Sequence, residues 1–348
     1  MVAAVTAPRP VPDLAAPMPQ SGWRQPGTDA SHGMDRRSPR WSRRLATDRL
    51  LEPDLHLDHG HMTDRVFILG LGAPRSGTTW LHSYLSSRKG EVDLGFAKEY
   101  HHFDTLYGKR AKERLQTLRE TVEGVMTQDD PIRRNQRLWR KLAFLSDPNA
   151  YPDYFSGLIS RPGGPQVTGD LTPANWILPA RHMAALAEAF ASRGVRVVPV
   201  FLMRDPVERL ISSLRHTEVQ RRHIDPTDPL LDLRQEGAET SRYRSRSWYP
   251  EILQRITDVF GENTGFVGFY ETLFSEAEVA RLCATLGLPY ATPDFETRVN
   301  SSSTATLGAD EALKVRAANY YRPTYDFMAE TYGSERMRQI WPGYAYLD

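Results

Sequence analysis

The chain has 348 residues, of which 40% are hydrophobic and 25% are charged, and these values suit a globular protein with a buried core. Its 44 Lys and Arg and 43 Asp and Glu leave a formal net charge of +1, which excludes a strong overall field for nucleic acid. The one cysteine, Cys283, excludes an intramolecular disulfide framework and a cysteine-rich metal site, and it indicates a reducing compartment. The sequence has no apolar run of about 18 residues and no signal-peptide pattern, so we expect a cytoplasmic protein without a membrane-spanning helix.

Residues 1–62 differ in composition from the rest of the chain. Prolines recur at positions 8, 10, 12, 17, 19 and 26, and no hydrophobic periodicity is visible. This composition predicts a disordered tail ahead of a single domain over residues 63–345. Inside the tail, Arg36–Leu51 mixes arginines with a tryptophan and leucines. Such a mixture is typical of a basic amphipathic helix that contacts a membrane surface or a partner, or of a solvated helix on the domain edge.

From Arg65 onward, strand-like apolar runs alternate with helix-like segments. The run "RVVPVFLMR" is almost continuously apolar, as in a central parallel strand that is buried on both faces. The alternation predicts the α/β class, with a P-loop-like, doubly wound and mainly parallel sheet flanked by helices. The predicted strands are 66–71, 92–97, 166–171, 196–204 and 264–271, and the predicted helices include 77–87, 180–192 and 276–286.

The stretch "LGAPRSGTTW", residues 71–80, follows the first predicted strand and opens the first predicted helix. Gly72 and Gly77 have the spacing of a phosphate-binding loop, in which backbone N–H groups and the positive end of the helix face an anion. Thr78 stands where ATP- and GTP-binding loops carry a lysine, and the cation is instead Arg75, inside the loop. This arrangement favours a ligand with one phosphate in the loop and a second anionic group near Arg75.

The string Pro74–Trp80 resembles the 5′-phosphosulfate loop, Pro-(Lys/Arg)-Ser-Gly-Thr-Thr-Trp, of sulfotransferases that use 3′-phosphoadenosine 5′-phosphosulfate. Weaker resemblance extends over roughly residues 65–290. It implies sulfuryl transfer from this donor to a hydroxyl or amine of a small-molecule, lipid or carbohydrate acceptor, with no metal ion and no nucleic acid partner. The donor-binding residues that it implies in the loop are Arg75, Ser76, Gly77, Thr78, Thr79 and Trp80.

A second motif lies in "FLMRDPVERLISSL". The second signature of the same family places an arginine at the end of a central strand and a serine eight residues later, and both contact the 3′-phosphate of the donor. Arg204 and Ser212 have this spacing, and Arg204 leaves the carboxyl end of a predicted strand, where ligands bind in open α/β sheets. Without the resemblance, Arg204 also suits a helix-capping ion pair and Ser212 a surface hydroxyl.

The segment "KEYHHF", which begins at Lys98, resembles the Lys-Glu-x-x-Phe segment of heparan-type sulfotransferases. The resemblance implies that Glu99 is the general base and that Lys98, with Arg75, stabilises charge on the leaving group. A carboxylate base works best with a pKa that burial or neighbouring anions raise. His101 and His102 remain alternative bases, because imidazole suits neutral pH. A surface Lys98–Glu99 ion pair is the alternative without a catalytic role.

The segment "GDLTPANW" resembles the family's Glu-Lys-(Ser/Thr)-Pro-x-Tyr segment, which implies that Thr172 and Pro173 line the site. Leu171 replaces the lysine of that segment, so the resemblance favours an anionic glycan acceptor less. Residues 104–160 are predicted to be mostly helical. We expect them to shape the acceptor pocket together with residues 221–250, although neither segment has a readable signature.

Two other functions remain open from the residues alone. A P-loop kinase for a small metabolite needs a loop lysine, which is absent, and an acidic magnesium ligand, for which Asp170 and Asp205 are the candidates. A nucleotide-binding partner protein without turnover keeps the phosphate motifs but does not need Glu99.

Overall fold

The protein is built on one parallel sheet. The computed structural model describes residues 65–221, 245–295 and 311–347. The strands are β1 (Val66–Gly70), β2 (Val167–Asp170), β3 (Arg196–Met203) and β4 (Phe266–Phe269), in the spatial order β2-β1-β3-β4. Each neighbouring pair is parallel. The predicted α/β class with a parallel sheet flanked by helices is confirmed.

The helices follow the strands in the order that the sequence predicts. Those predicted at 77–87, 180–192 and 276–286 are observed with ends within one residue of the prediction. The helices are α1 (Thr78–Ser87), α2 (His102–Tyr107), α3 (Ala111–Met126), α4 (Pro131–Arg134), α5 (Gln136–Ser146), α6 (Ala150–Ile159), α7 (Ala180–Ala191), α8 (Pro206–Arg221), α9 (Tyr249–Phe260), α10 (Tyr270–Leu273), α11 (Glu276–Leu286), α12 (Glu311–Tyr320), α13 (Arg322–Tyr332) and α14 (Ser334–Ile340), with short 3₁₀ helices at Pro173–Ile177 and Pro342–Tyr346.

Both faces of the sheet are covered by helices. Phe67 and Leu69 of β1 belong to one apolar cluster with side chains of α6, α7 and α9. Val66 and Ile68 belong to a second cluster with side chains of α1 and α11. Because successive side chains of a strand point to opposite faces, a strand between two helical layers must be apolar at every position. This explains the continuous apolar runs in β1 and β3.

The strand predicted at 92–97 is wrong. Only Val92 pairs with the sheet, through an isolated bridge to Val167. The chain then turns, because the side chain of Asp93 accepts a hydrogen bond from the backbone N–H of Gly95 at 2.8 Å and Gly95 takes a positive φ of 77°. An aspartate that bonds the backbone two residues on favours a turn over a strand.

The carboxyl ends of the four strands meet at one edge of the sheet, as parallel pairing requires. The loop 71–77 follows β1, Thr172 follows β2 closely, Arg204 follows β3, and Tyr270 follows β4. The segments that carry the predicted motifs therefore share one edge, although they lie far apart in the sequence.

Several predictions concern segments outside the described residues. These segments are the tail 1–62 with its stretch Arg36–Leu51, and most of the loop 221–250. Within the described ranges, every helix is too short or too polar to cross a membrane.

Candidate functional site

The loop between β1 and α1 continues the pairing of the sheet. The backbone N–H of Ala73 donates to the carbonyl of Leu202 at 2.7 Å, and the N–H of Leu202 donates to the carbonyl of Gly72 at 2.8 Å. The loop is therefore held against β3 before it turns into α1. Gly72 takes a φ of 88°, and a Cβ at this position would lie 2.7 Å from the carbonyl oxygen of Pro173. Glycine is required here because backbone packs directly on backbone.

Gly77 sets the start of α1. Its φ is 89°, and a Cβ on it would lie 2.9 Å from a methyl group of Leu273 and 3.2 Å from the ring of Tyr270. Among the described residues, no side chain caps the first turn of α1, which begins at Thr78. The first backbone N–H groups of a helix have no partner inside the helix, so they are oriented to bind an anion in the loop.

The structure brings Arg75, Ser212 and Arg204 together. Nε of Arg75 donates to the hydroxyl of Ser212 at 3.2 Å, and a terminal nitrogen of Arg204 donates to the carbonyl of Arg75 at 3.2 Å. The guanidinium of Arg204 also lies 4.4 Å from the ring centroid of Tyr270 and 3.7 Å from Glu208. Residues from the loop, from the end of β3 and from α8 thus form one positively charged cluster.

This cluster has unused hydrogen-bonding capacity. The hydroxyl of Ser76 is buried, and so is Nε of Arg204, and neither has a hydrogen-bond partner within the described residues. Burial lowers the pKa of Arg75, and the neighbouring charge of Arg204 lowers it further. Two partly buried cations and an unpaired hydroxyl fit an anionic ligand, because an anion removes the repulsion and accepts the hydrogen bonds.

The other predicted residues of the loop lie on α1. Thr78 is buried and Thr79 is half-buried in the first turn. Trp80 is buried and stacks on the rings of Tyr84, at 5.6 Å between centroids, and of Phe295, at 6.2 Å. The tryptophan therefore belongs to an aromatic cluster beside the loop.

Glu99 belongs to a chain of alternating charges. Its carboxylate accepts a hydrogen bond from Lys98 at 2.9 Å, and its second oxygen lies 3.3 Å from Nε2 of His101. Nδ1 of His101 lies 3.0 Å from Asp104, which in turn pairs with Arg114 at 2.8 Å. The Lys98–Glu99 pair expected as the alternative is present, and it is one link of a longer network.

This network lowers the pKa of Glu99, contrary to the raised pKa that a carboxylate base favours. The hydrogen bond from His101 and the pairing with Lys98 outweigh burial and lower the pKa of Glu99 to about 2. Asp104 and Glu99 raise the pKa of His101 to about 9. At neutral pH the imidazole is therefore a cation between two carboxylates, and Glu99 is ionised.

His102 has different surroundings. Its ring stacks on Tyr151 with 4.6 Å between centroids. Burial lowers its pKa to about 4, although Asp104 opposes this effect. Its Nδ1 atom is buried without a hydrogen-bond partner in the described ranges. His102 is therefore neutral at pH 7 and a weaker base than an ordinary histidine.

Thr172 supports the segment that carries Glu99. Its hydroxyl accepts hydrogen bonds from the backbone N–H of Tyr100 at 2.7 Å and of His101 at 3.4 Å. The N–H of Thr172 donates to Asp170 at 2.8 Å, at the end of β2. Sequence reasoning placed Thr172 at the lining of the site, and the structure buries it completely behind the lining.

The segment with Glu99 also lies close to α1. Burial lowers the pKa of His82 on α1, the positive charge of Lys98 lowers it further, and the negative charge of Glu99 opposes both effects. Lys98 and Glu99 thus act electrostatically on the helix that follows the loop.

Sequence reasoning missed Asp104 and Arg114. Their only sequence signals are that Asp104 lies three residues after a histidine and that Arg114 lies on the next helix.

A cavity of about 310 Å³ lies beside this network. Its walls come from α2, α3, α5 and the turn before α2, and they include Tyr100, His101 and His102. The sequence predicted helices here and a role in shaping a pocket; of the lining side chains it singled out only His101 and His102, as alternative bases.

Comparison with known families agrees with the motifs. The sequence model of the sulfotransferase family matches residues 66–292. Similar solved structures include a sulfotransferase from Alicyclobacillus acidocaldarius, with 18% identity, coverage of 77% of this chain and 96% of that chain, and a TM-score of 0.49. Another is the sulfotransferase domain of the Synechococcus PCC 7002 olefin synthase, with 18% identity, coverage of 76% and 89%, and a TM-score of 0.38. No curated protein matches the chain significantly.

Proposed function

The chain belongs to the sulfotransferase family, and we propose that it transfers a sulfuryl group from 3′-phosphoadenosine 5′-phosphosulfate to a hydroxyl or amine of an acceptor. The observation that carries the choice of donor is the cluster of Arg75, Ser212 and Arg204 beside the loop. A site for a single phosphate needs only the loop. A second cationic group beside it suits a donor with phosphates at both its 5′ and 3′ positions.

The loop and the start of α1 hold the 5′-phosphate. Backbone N–H groups there are joined by the hydroxyls of Thr78 and Thr79, and by the unpaired hydroxyl of Ser76. Arg204 and Ser212 hold the 3′-phosphate, with Nε of Arg204 available as a donor. The aromatic surface around Trp80 lies next to the loop and suits the base of the nucleotide.

When it is bound, the donor supplies a sulfuryl group whose bond to the bridging phosphate oxygen breaks as a bond to the acceptor oxygen or nitrogen forms. Arg75 and Lys98 stabilise the negative charge that develops on the leaving phosphate. Glu99 accepts the proton that the acceptor loses. Preorganised charges and positioning are the main sources of rate in such a displacement.

The low pKa of Glu99 is a property of the network without an anion. The hydrogen bond from His101 lowers that pKa most, and Lys98 lowers it further by its hydrogen bond and its charge. An anion beside Arg75 and Lys98 competes with Glu99 for the ammonium group. A negative charge nearby also raises the pKa of a carboxylate. We infer that donor binding makes Glu99 a stronger base.

The histidines are weaker candidates for the base. His101 is bridged by two carboxylates that keep it protonated at neutral pH. His102 is neutral, but its Nδ1 atom is buried and its ring is stacked on Tyr151, so it is less accessible to an acceptor than the partly exposed carboxylate of Glu99. Glu99 is ionised at neutral pH, so it can accept a proton without first losing one.

The carboxylates that a kinase would use for magnesium are engaged in internal hydrogen bonds. Asp170 accepts from the N–H of Thr172 and from the hydroxyl of Tyr151, both at 2.8 Å. Asp205 caps α8 through the N–H of Val207 at 2.8 Å and accepts from Tyr325 at 2.9 Å. Both side chains are fully buried, so their oxygens stabilise the strand ends.

Equilibrium titrations with three nucleotides test the proposed donor. We expect adenosine 3′,5′-bisphosphate to bind about 10–100-fold more tightly than adenosine 5′-monophosphate, as charge-assisted hydrogen bonds to a second phosphate imply. It should also bind more tightly than ATP with magnesium. Transfer of label from ³⁵S-labelled donor to an acceptor is the activity measurement. Equal binding of the monophosphate and the bisphosphate, or preference for ATP with magnesium, contradicts the proposal.

A further inference from the structure

We propose that the cavity between α2, α3 and α5 binds the acceptor, and that it selects a small acceptor with an apolar body and an anionic group. This inference rests on the proposed function, since it names the acceptor class for that site. The anionic group binds near Lys141, and the nucleophilic group faces His101 and Glu99.

The position of the cavity connects it to the predicted base. His101 lines the cavity, and its Nε2 lies 3.3 Å from Glu99. The cavity and Glu99 therefore border the same imidazole, and an acceptor that extends past His101 reaches the carboxylate. Thr172 holds the backbone of this segment in place from behind, so the wall between cavity and carboxylate is supported by the sheet.

The face of α3 that borders the cavity is polar and largely exposed to solvent. The residues from the turn before α3 and from α3 itself that line the cavity are Arg110, Glu113, Arg114, Thr117, Leu118 and Thr121. Their spacing of three and four residues places them on one face of the helix. A helix that packs on a core carries an apolar stripe on that face, and α3 buries only Val125 among its described residues. An exposed polar stripe along the cavity suits a ligand that enters from solvent.

The charges of the lining are mainly positive. Besides the protonated His101, the cations Arg110, Arg114 and Lys141 line the cavity with one carboxylate, that of Glu113. Arg110 pairs with Glu113 at 2.5 Å, and Arg114 pairs with Asp104 at 2.8 Å. Lys141 is half-buried on α5 and makes no ion pair with any described residue. A partly desolvated ammonium group of this kind favours an anion nearby.

The remaining lining gives the size and the apolar character of the ligand. Phe144, Leu118 and Leu145 provide an apolar wall next to Lys141. The volume of about 310 Å³ is at the lower end of the usual range for ligand sites, roughly 300–1,000 Å³. The cavity therefore holds a ring or a short chain. Leu171, which is buried after the end of β2, contributes no charge to the cavity. The positive charges come from α3, the turn before it, and α5. These elements lie outside the segment "GDLTPANW" that resembles the family's segment.

The test uses pairs of hydroxylated aromatic and aliphatic compounds of up to about 15 non-hydrogen atoms. In each pair, one compound carries a carboxylate and the other does not. One such pair is 3-(4-hydroxyphenyl)propanoate and 4-ethylphenol. Binding is measured by calorimetry, and transfer is measured with ³⁵S-labelled donor. We expect the anionic member to bind about 10-fold more tightly, as a charge-assisted hydrogen bond implies. Lys141→Ala should remove this preference.

Lys112→Ala is the matched control, because Lys112 is exposed on α3 and does not line the cavity. It should keep the preference. Thr117→Trp, which fills the cavity, should weaken binding of both members. The inference is wrong if no pair shows the anionic preference, or if the preference survives in Lys141→Ala. Adenosine 3′,5′-bisphosphate should bind all three variants and the unmodified protein equally well; its failure to bind the unmodified protein contradicts the proposed function and leaves the result for the cavity intact.

Discussion

The proposed donor side and the proposed acceptor side of the site are built in different ways. On the donor side, backbone does most of the positioning, since the loop pairs with β3 and Gly77 packs on Leu273 and Tyr270. On the acceptor side, long side chains of α2, α3 and α5 surround a cavity, and ion pairs such as Arg114–Asp104 hold them. A backbone cradle demands particular residues at particular positions, whereas a wall of side chains accepts many. The backbone cradle is therefore visible as a sequence motif. The wall of side chains can change its ligand without a change of fold.

Glu99 is the proposed base, and its substitution should have the largest effect. We expect Glu99→Gln to lower kcat by ~10²–10⁴-fold, because the amide cannot accept the acceptor's proton. Binding of adenosine 3′,5′-bisphosphate should not change. The measurements are turnover with labelled donor and calorimetric titration.

The matched control for this substitution is Glu123→Gln, since Glu123 is an exposed partner of Arg119 on α3. It should leave both quantities unchanged. Full activity of Glu99→Gln would assign the base elsewhere, and His101→Ala and His102→Ala would then be the next variants.

Arg204→Met should weaken the donor side alone. Loss of its charge-assisted hydrogen bonds is expected to reduce affinity for adenosine 3′,5′-bisphosphate by ~10–100-fold. Affinity for adenosine 5′-monophosphate should fall much less, since Arg204 is assigned to the 3′-phosphate. Calorimetry with the two nucleotides measures this difference.

Arg281→Met provides a control with a similar contact. Arg281 lies over the ring of Phe266 at 4.1 Å, and Arg204 lies over Tyr270 at 4.4 Å, so both substitutions remove an arginine from an aromatic ring. Only the substitution at Arg204 should alter nucleotide binding. An equal effect of the two would show that Arg204 acts through packing.

Gly77→Ala tests whether the cradle depends on its backbone. An alanine at this position would have to keep a φ of 89°, and its Cβ would lie 2.9 Å from Leu273. We therefore expect the free energy of unfolding to fall by ~2–4 kcal/mol, from backbone strain and overpacking together. Gly90→Ala is the control, because Gly90 has a φ of 90° and a methyl group added there would meet no atom of the described residues within 4 Å.

Gly90→Ala should lower the free energy of unfolding by only ~1–2 kcal/mol, the strain component alone. Denaturant unfolding measures both variants. If the two substitutions have equal effects, the contact with Leu273 and Tyr270 does not constrain the loop.

The smallest expected effect concerns the network on the acceptor side. The folded state raises the pKa of His101 to about 9 from an ordinary value of 6.5. Its stabilising contribution is therefore fully present below pH 6.5 and is lost as the pH rises through 9. In His101→Gln this part of the pH dependence should be absent. Unfolding measured at pH 6, 7.5 and 9.5 compares the two proteins, and identical pH profiles would contradict a charged imidazole between Glu99 and Asp104.

The sequence allowed prediction of the parts that local geometry determines. The string Pro74–Trp80 spans the end of the loop after β1 and the first residues of α1, as its glycine and its preceding apolar run indicate. Arg204 follows β3 because a continuous apolar run ends there. The strand at 92–97 was mispredicted because one side chain, that of Asp93, starts a turn.

The acceptor side could not be predicted because it depends on contacts between separate helices. The pKa of Glu99 is lowered by His101, whose orientation is set by Asp104, and Asp104 is paired with an arginine from α3. The position of α3, whose exposed polar face borders the cavity, does not follow from its own periodicity. Such features appear only once the helices are packed.

The hydrogen bonds between the loop and β3 have a consequence for assembly. Arg75 contacts partners that lie 129 and 137 residues further along the chain. Contacts of such separation form only after a large loss of chain entropy. The complete nucleotide site therefore exists only when β1 and β3 are paired and α8 is docked. Because a ligand that binds only the folded state stabilises it by mass action, binding of the proposed donor would report the completion of folding across the sheet and would favour the assembled form of the protein.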